Sequence, residues 1–195
     1  MATRGRWRTF GVTLAMTVAG AHAGSAASAR PEFVLHLVDR AGVRPADLAR
    51  AKATVERVFQ AAGVEIQWGE GPAPAFVGGG HAAASGPRHV AVLVVNNHDE
   101  STRGATGCVL GVAVPALARA SVFFNRIVET SDKGPVDLPA VLARVIAHEV
   151  GHLLLPPGSH SGYGIMRADL DLGYVNPSHF TDDQARKLRD VLVAG

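Results

Sequence analysis

The residues with the most chemistry in this chain stand close together. His148-Glu149-Val150-Gly151-His152 sets two imidazoles four positions apart. On a helix, residues i and i+4 share one face a turn apart, so both rings can reach a single ion. The same geometry turns Glu149 aside, where it can reach a water on that ion. A catalytic zinc takes three protein ligands and keeps one position open. His160, eight residues after His152, offers a third imidazole, and Asp169 and Asp171 are carboxylate alternatives. Three neutral imidazoles keep zinc strongly Lewis-acidic, able to bring the pKa of bound water to around 7 and to polarise a carbonyl. Glu149 would then be the general base, taking the proton of the water and passing it to a leaving amine.

Such a group needs a helix to carry it. Asp137 is placed to N-cap a helix predicted from about Leu138 to Leu155. Val141, Leu142, Val145, Ile146, Val150 and Leu153 make that helix apolar nearly all round, so it should be buried. Burying His, Glu and His together is costly unless they are bonded or hold a metal. The reading without metal is a pair of hydrogen-bonded core histidines. Pro156-Pro157-Gly158 ends the helix, because proline breaks the backbone ladder.

The chain in front supplies a sheet. Glu32 to Asp39 reads as a first strand, Pro45 opens an amphipathic helix stopped at Gly63, and Val64 to Trp68 is a second strand. A parallel crossover is the default for strand, helix, strand. Glu70 to Arg88 is a Gly/Pro/Ala-rich loop containing His81, read as a surface histidine. His89 to Val95 is a buried strand. Gly107, Gly111 and Pro115 punctuate an apolar stretch, which suggests an edge strand. Ala120 to Val128 reads as a further strand. Behind the active helix, Ser159 to Asn176 reads as irregular. Thr181-Asp182-Asp183-Gln184 is a capping box opening a last helix to about Val193.

The ends and the composition bound the class. Arg4, Arg6 and Arg8 precede an apolar run from Phe10 to Ala21, and Ala21-His22-Ala23 fits a small-x-small cleavage site. This is the pattern of a secretory signal peptide over residues 1–23, with a second cleavage site after residue 29. It predicts a secreted or periplasmic protein. The apolar run falls short of the ~20 residues that span a bilayer. Residues 1–23 carry three arginines and no acid, so their removal turns the formal net charge of +2 into −1. No basic patch points to nucleic acid. Residues 24–195 suffice for one domain. The single cysteine, Cys108, excludes an internal disulfide; it reads as a small packed residue or, alternatively, as a zinc ligand holding latency. Asn96-Asn97-His98-Asp99-Glu100 offers oxygen ligands for calcium at a spacing that matches no EF-hand loop.

Taken together, His-Glu-x-x-His, a downstream His and Gly164-Ile165-Met166 resemble the metzincin arrangement of three histidines followed by a Met-turn. The resemblance extends over nearly all of residues 24–195. It implies an α/β (α+β) zincin-like fold: a twisted mixed sheet of about five strands, a backing helix, an active-site helix and a small C-terminal part with one helix. It implies an exported zinc metallopeptidase acting on peptides or proteins, with His148, His152 and His160 on the metal, Glu149 as base and Met166 beneath the zinc. It also implies that the segment around Gly111 pairs with an extended substrate, since edge pairing reads backbone. The spacing departs from the family: Leu155 stands where its glycine does, Gly158 where its third His does, and His160 comes two residues later. Some metzincins carry a Tyr two residues after the Met; Ala168 is there, with Tyr163 and Tyr174 elsewhere. A second class is a degenerate scaffold that binds zinc or a partner without turnover.

Overall fold

A computed structural model describes residues 30–71, 87–96, 109–131, 137–168 and 179–194. The signal-peptide pattern, His81, Cys108, residues 97–100 of the candidate calcium run, Asp169, Asp171 and Tyr174 lie outside the described residues.

The elements are β1 (Glu32–Asp39), α1 (Pro45–Ala61), β2 (Glu65–Gly69), β3 (Arg88–Val95), β4 (Gly111–Val114), β5 (Arg119–Phe123), α2 (Phe124–Ser131), α3 (Leu138–Leu154) and α4 (Asp182–Val193). The five strands form one mixed sheet in the order β2-β1-β3-β5-β4. β1 pairs parallel with β2 and β3, β3 pairs parallel with β5, and β4 runs antiparallel to β5 along the edge. The expected five-strand mixed sheet, backing helix, buried site helix and C-terminal helix are all present.

The core follows from the period of each element. Phe33 and Leu35 on β1, and Val90, Val92 and Val94 on β3, face one side of the sheet. Val55 and Phe59 of α1, and Leu142, Val145 and Ile146 of α3, pack into the same cluster. Pro45 is the first residue of α1, where a missing N–H costs nothing. Asp39 carboxylate oxygens accept from the N–H groups of Ala41, Gly42 and Val43, fixing the turn between β1 and α1. The C-terminal helix is tied back by Arg189, whose Nη1 donates to Ala62 O at 2.6 Å, and by Phe180 packing on Phe59 at 5.1 Å between ring centroids.

Two expectations change. The strand read as Ala120 to Val128 ends at Phe123, and Phe124–Ser131 is helical. Phe-Asn-Arg-Ile-Val satisfies either period, and the helical choice buries Ile127 completely while Phe124 packs on the core. Asp137 does precede α3, but its side chain makes no cap bond. Its carboxylate oxygens instead accept from Arg50 Nη2 at 3.0 and 3.1 Å, which ties α3 to α1.

Candidate metal centre

The site begins where α3 stops. Pro156 cannot continue the helix, and it forces the residue before it toward extended backbone. Leu155 obeys, at φ −88° and ψ 156°. Gly158 then takes φ +78°, a left-handed turn that glycine adopts freely. The longer spacer between the second and third histidines is absorbed in this turn, and His160 comes back to the helix it left.

Three imidazole nitrogens converge there. His152 Nε2 stands 3.0 Å from His148 Nε2 and 3.0 Å from His160 Nε2. His148 Nδ1 lies 2.8 Å from the Ile165 carbonyl oxygen. A carbonyl only accepts, so Nδ1 carries the proton and Nε2 presents its lone pair to the site. A neutral His152 has at most one Nε2 hydrogen, too few for two neighbouring nitrogens, whereas one cation satisfies all three. Zinc–nitrogen bonds of 2.0–2.1 Å in a tetrahedron put ligand nitrogens about 3.3 Å apart, so the donor set fits zinc. The rings of His152 meet those of His148 and His160 at centroid distances of 4.7 Å and steep interplanar angles. By contrast, His36 Nε2 and His89 Nδ1, also 3.0 Å apart, have centroids 5.3 Å apart. Those rings lie nearly end to end, as a single N–H···N bond requires.

Burial sets the charge states. It lowers the pKa of His148 from the ordinary value, against the raising effect of the Ile165 bond, with the neighbouring His160 and Arg144 lowering it further. His152 is pushed down to about 4 by burial and by its two imidazole neighbours. Both rings are thus held neutral, the form that ligates metal. Burial pushes the Glu149 carboxyl up to about 7, which suits proton transfer near neutrality. What buries it is the edge strand: a Cβ built on Gly111 would stand 2.7 Å from both Cγ and Oε1 of Glu149. Only a glycine lets β4 lie this close to the carboxylate.

Met166 is fully buried and packs against α3 at Gly151. A Cβ on Gly151 would meet its Sδ at 2.4 Å, so the glycine inside His-Glu-x-x-His is the floor on which the methionine packs. The turn bearing Met166 is fixed by Gly164 at φ +81° and by Ile165 N donating to His179 O at 3.0 Å. Tyr163 is exposed. Among the described residues, His148, His152 and His160 form the one group of three such side chains that could hold a metal.

Two solved structures share this arrangement of elements. A zinc-dependent peptidase from Methanocorpusculum labreanum superposes with TM-score 0.54 at 16% identity, covering 79% of this chain and 99% of its own. Archaemetzincin from Methanopyrus kandleri superposes with TM-score 0.52 at 19% identity, covering 84% and 97%. At these identities the likeness is one of fold. No protein-family model matches the chain, and no curated protein sequence matches it.

Reading by motif misses three contributors. Gly151 and Gly111 act by having no side chain, and only the contact each would block reveals them. Gln184, legible as a capping residue, also reaches into the turn that carries His160.

Proposed function

We propose that the protein is an exported, metzincin-type zinc metallopeptidase that hydrolyses peptide bonds. The observation that carries this reading is the convergence of three imidazole nitrogens beside a buried carboxylate, at the edge of a sheet. His148, His152 and His160 would hold the zinc, which supplies Lewis acidity toward a water and a substrate carbonyl. Glu149 takes the proton from the attacking water. Its raised pKa lets it keep that proton briefly and release it to the departing amine. The Ile165 carbonyl keeps His148 in the ligating tautomer, and Met166 supports the helix from beneath. β4, at the edge beside Glu149, suits backbone pairing with an extended peptide. The leader pattern in residues 1–23 supports export.

The test is the Glu149→Ala variant assayed on a peptide library beside the parent. Loss of the general base should lower kcat by about 10²–10⁴-fold while one zinc per chain stays bound. Zinc-loaded parent protein that cuts no peptide would move the non-catalytic scaffold ahead.

A further inference from the structure

We infer that Gln184 is a positioning residue for His160, its buried side-chain amide clamping the turn that presents the third imidazole. This rests on the zinc reading above. His160 itself is exposed and follows a Pro-Pro-Gly turn. A cavity of about 170 Å³ opens beside it, lined by Ser159, Ser161 and Lys187 among others, so packing does not hold the ring. Hydrogen bonds do. Gln184 is only 5% exposed. Its Nε2 donates to Ser159 O at 2.9 Å and to Ser161 Oγ at 3.1 Å, the two residues flanking His160. Its Oε1 accepts from Thr181 N at 3.0 Å, closing the capping box of α4. All three functions of the amide are in use, and glutamate in its place would lack both donors. Ser161 is anchored from its other side: its N donates to Met166 O at 2.9 Å and its Oγ to Tyr163 O at 2.8 Å. The amide thus links the N-terminus of α4 to both neighbours of a ligand, as outer-shell partners of metal sites do.

The experiment measures the zinc dissociation constant by chelator competition for the full chain, four single variants and one double variant. Gln184→Met removes the clamp and half of the capping box. Thr181→Ala weakens the cap but leaves both Nε2 bonds. Ser161→Ala removes one clamp bond, together with the bond to Tyr163 O, at a half-buried site, so it reports even where Gln184→Met fails to fold. His160→Ala removes the ligand. Losing an outer-shell partner typically weakens metal affinity 10–100-fold, and Gln184→Met should fall in that range. Ser161→Ala should weaken it several-fold and Thr181→Ala less than about twofold. In a His160→Ala background, Gln184→Met should add less than about twofold, because its effect passes through His160. Parent-like affinity in Ser161→Ala, or in folded Gln184→Met, overturns the clamp; so does equal loss in Thr181→Ala or an undiminished loss without His160. A parent chain that binds no zinc overturns the zinc reading itself.

Discussion

Glu149 gains its raised pKa from burial, and burial has a sign that can be tested. Its folded-state pKa of about 7 lies above the ordinary 4.5, so the folded metal-free protein holds this proton more tightly than the unfolded chain does. The fold therefore carries no penalty from Glu149 below pH 4.5 and loses stability as pH rises through 7. A shift of this size is worth on the order of 3 kcal/mol at most. Metal-free Glu149→Gln should thus be more stable than the parent at pH 8, by up to that amount, and about equal to it at pH 4. Urea unfolding at the two pH values measures both; equal stability at pH 8 would contradict the burial argument. Gly111 defines the other side of the same carboxylate. Gly111→Ala would push Glu149 aside from 2.7 Å contacts. Misplacing a catalytic group by an ångström can lower turnover about 10²-fold, so kcat should fall while zinc affinity holds. Steady-state kinetics beside chelator competition separates the two.

At the scale of elements, α3 and the Met166 turn depend on one another. Gly151→Ala would place a methyl 2.4 Å from Met166 Sδ and 3.2 Å from Phe180 Cε1. Overpacking of this kind costs about 1–3 kcal/mol, and thermal unfolding of the variant should show it. Much of the architecture was legible because pattern and punctuation agreed. β1 was legible as a compact apolar run, α1 was bounded by Pro45 and Gly63, and α4 by its Thr181–Gln184 box, which forms with both bonds. The end of β5 was not legible, since its apolar run continues without a break into α2 and tertiary packing decides. Asp137 was legible as a helix start but not as a partner of Arg50, 87 positions away. In the site, spacing named His148, Glu149 and His152, while His160 stood beside Asp169 and Asp171 as candidates for the third ligand until the turn after α3 brought its ring to the other two. The carbonyl of Ile165, the clearances at Gly111 and Gly151 and the second role of Gln184 could not be read from spacing. Each depends on a contact between elements that no local pattern encodes.

For the whole molecule, metal and fold should be linked. The three histidines come from the end of α3 and the turn behind it, and the sequence holds no disulfide to fix that turn. Free zinc at 100 times its Kd should stabilise the protein by about 2.7 kcal/mol. For a domain of this size that is roughly 2–4 °C of Tm per kcal/mol, read by calorimetry with and without chelator. The pH dependence follows from His152. Its folded pKa of about 4 lies below the ordinary 6.5, so the unfolded chain takes up that proton first and stability falls as pH drops through this range. Protons compete with zinc for this nitrogen only as pH approaches 4.

The most direct measurement is a titration of zinc into the metal-free full chain, with peptide-library cleavage followed at each addition. Cleavage should rise and saturate at one zinc per chain, and Glu149→Ala should bind the same single zinc and cleave about 10²–10⁴-fold more slowly. Cleavage that ignores zinc, or that survives intact in Glu149→Ala, would contradict a metallopeptidase built on these residues.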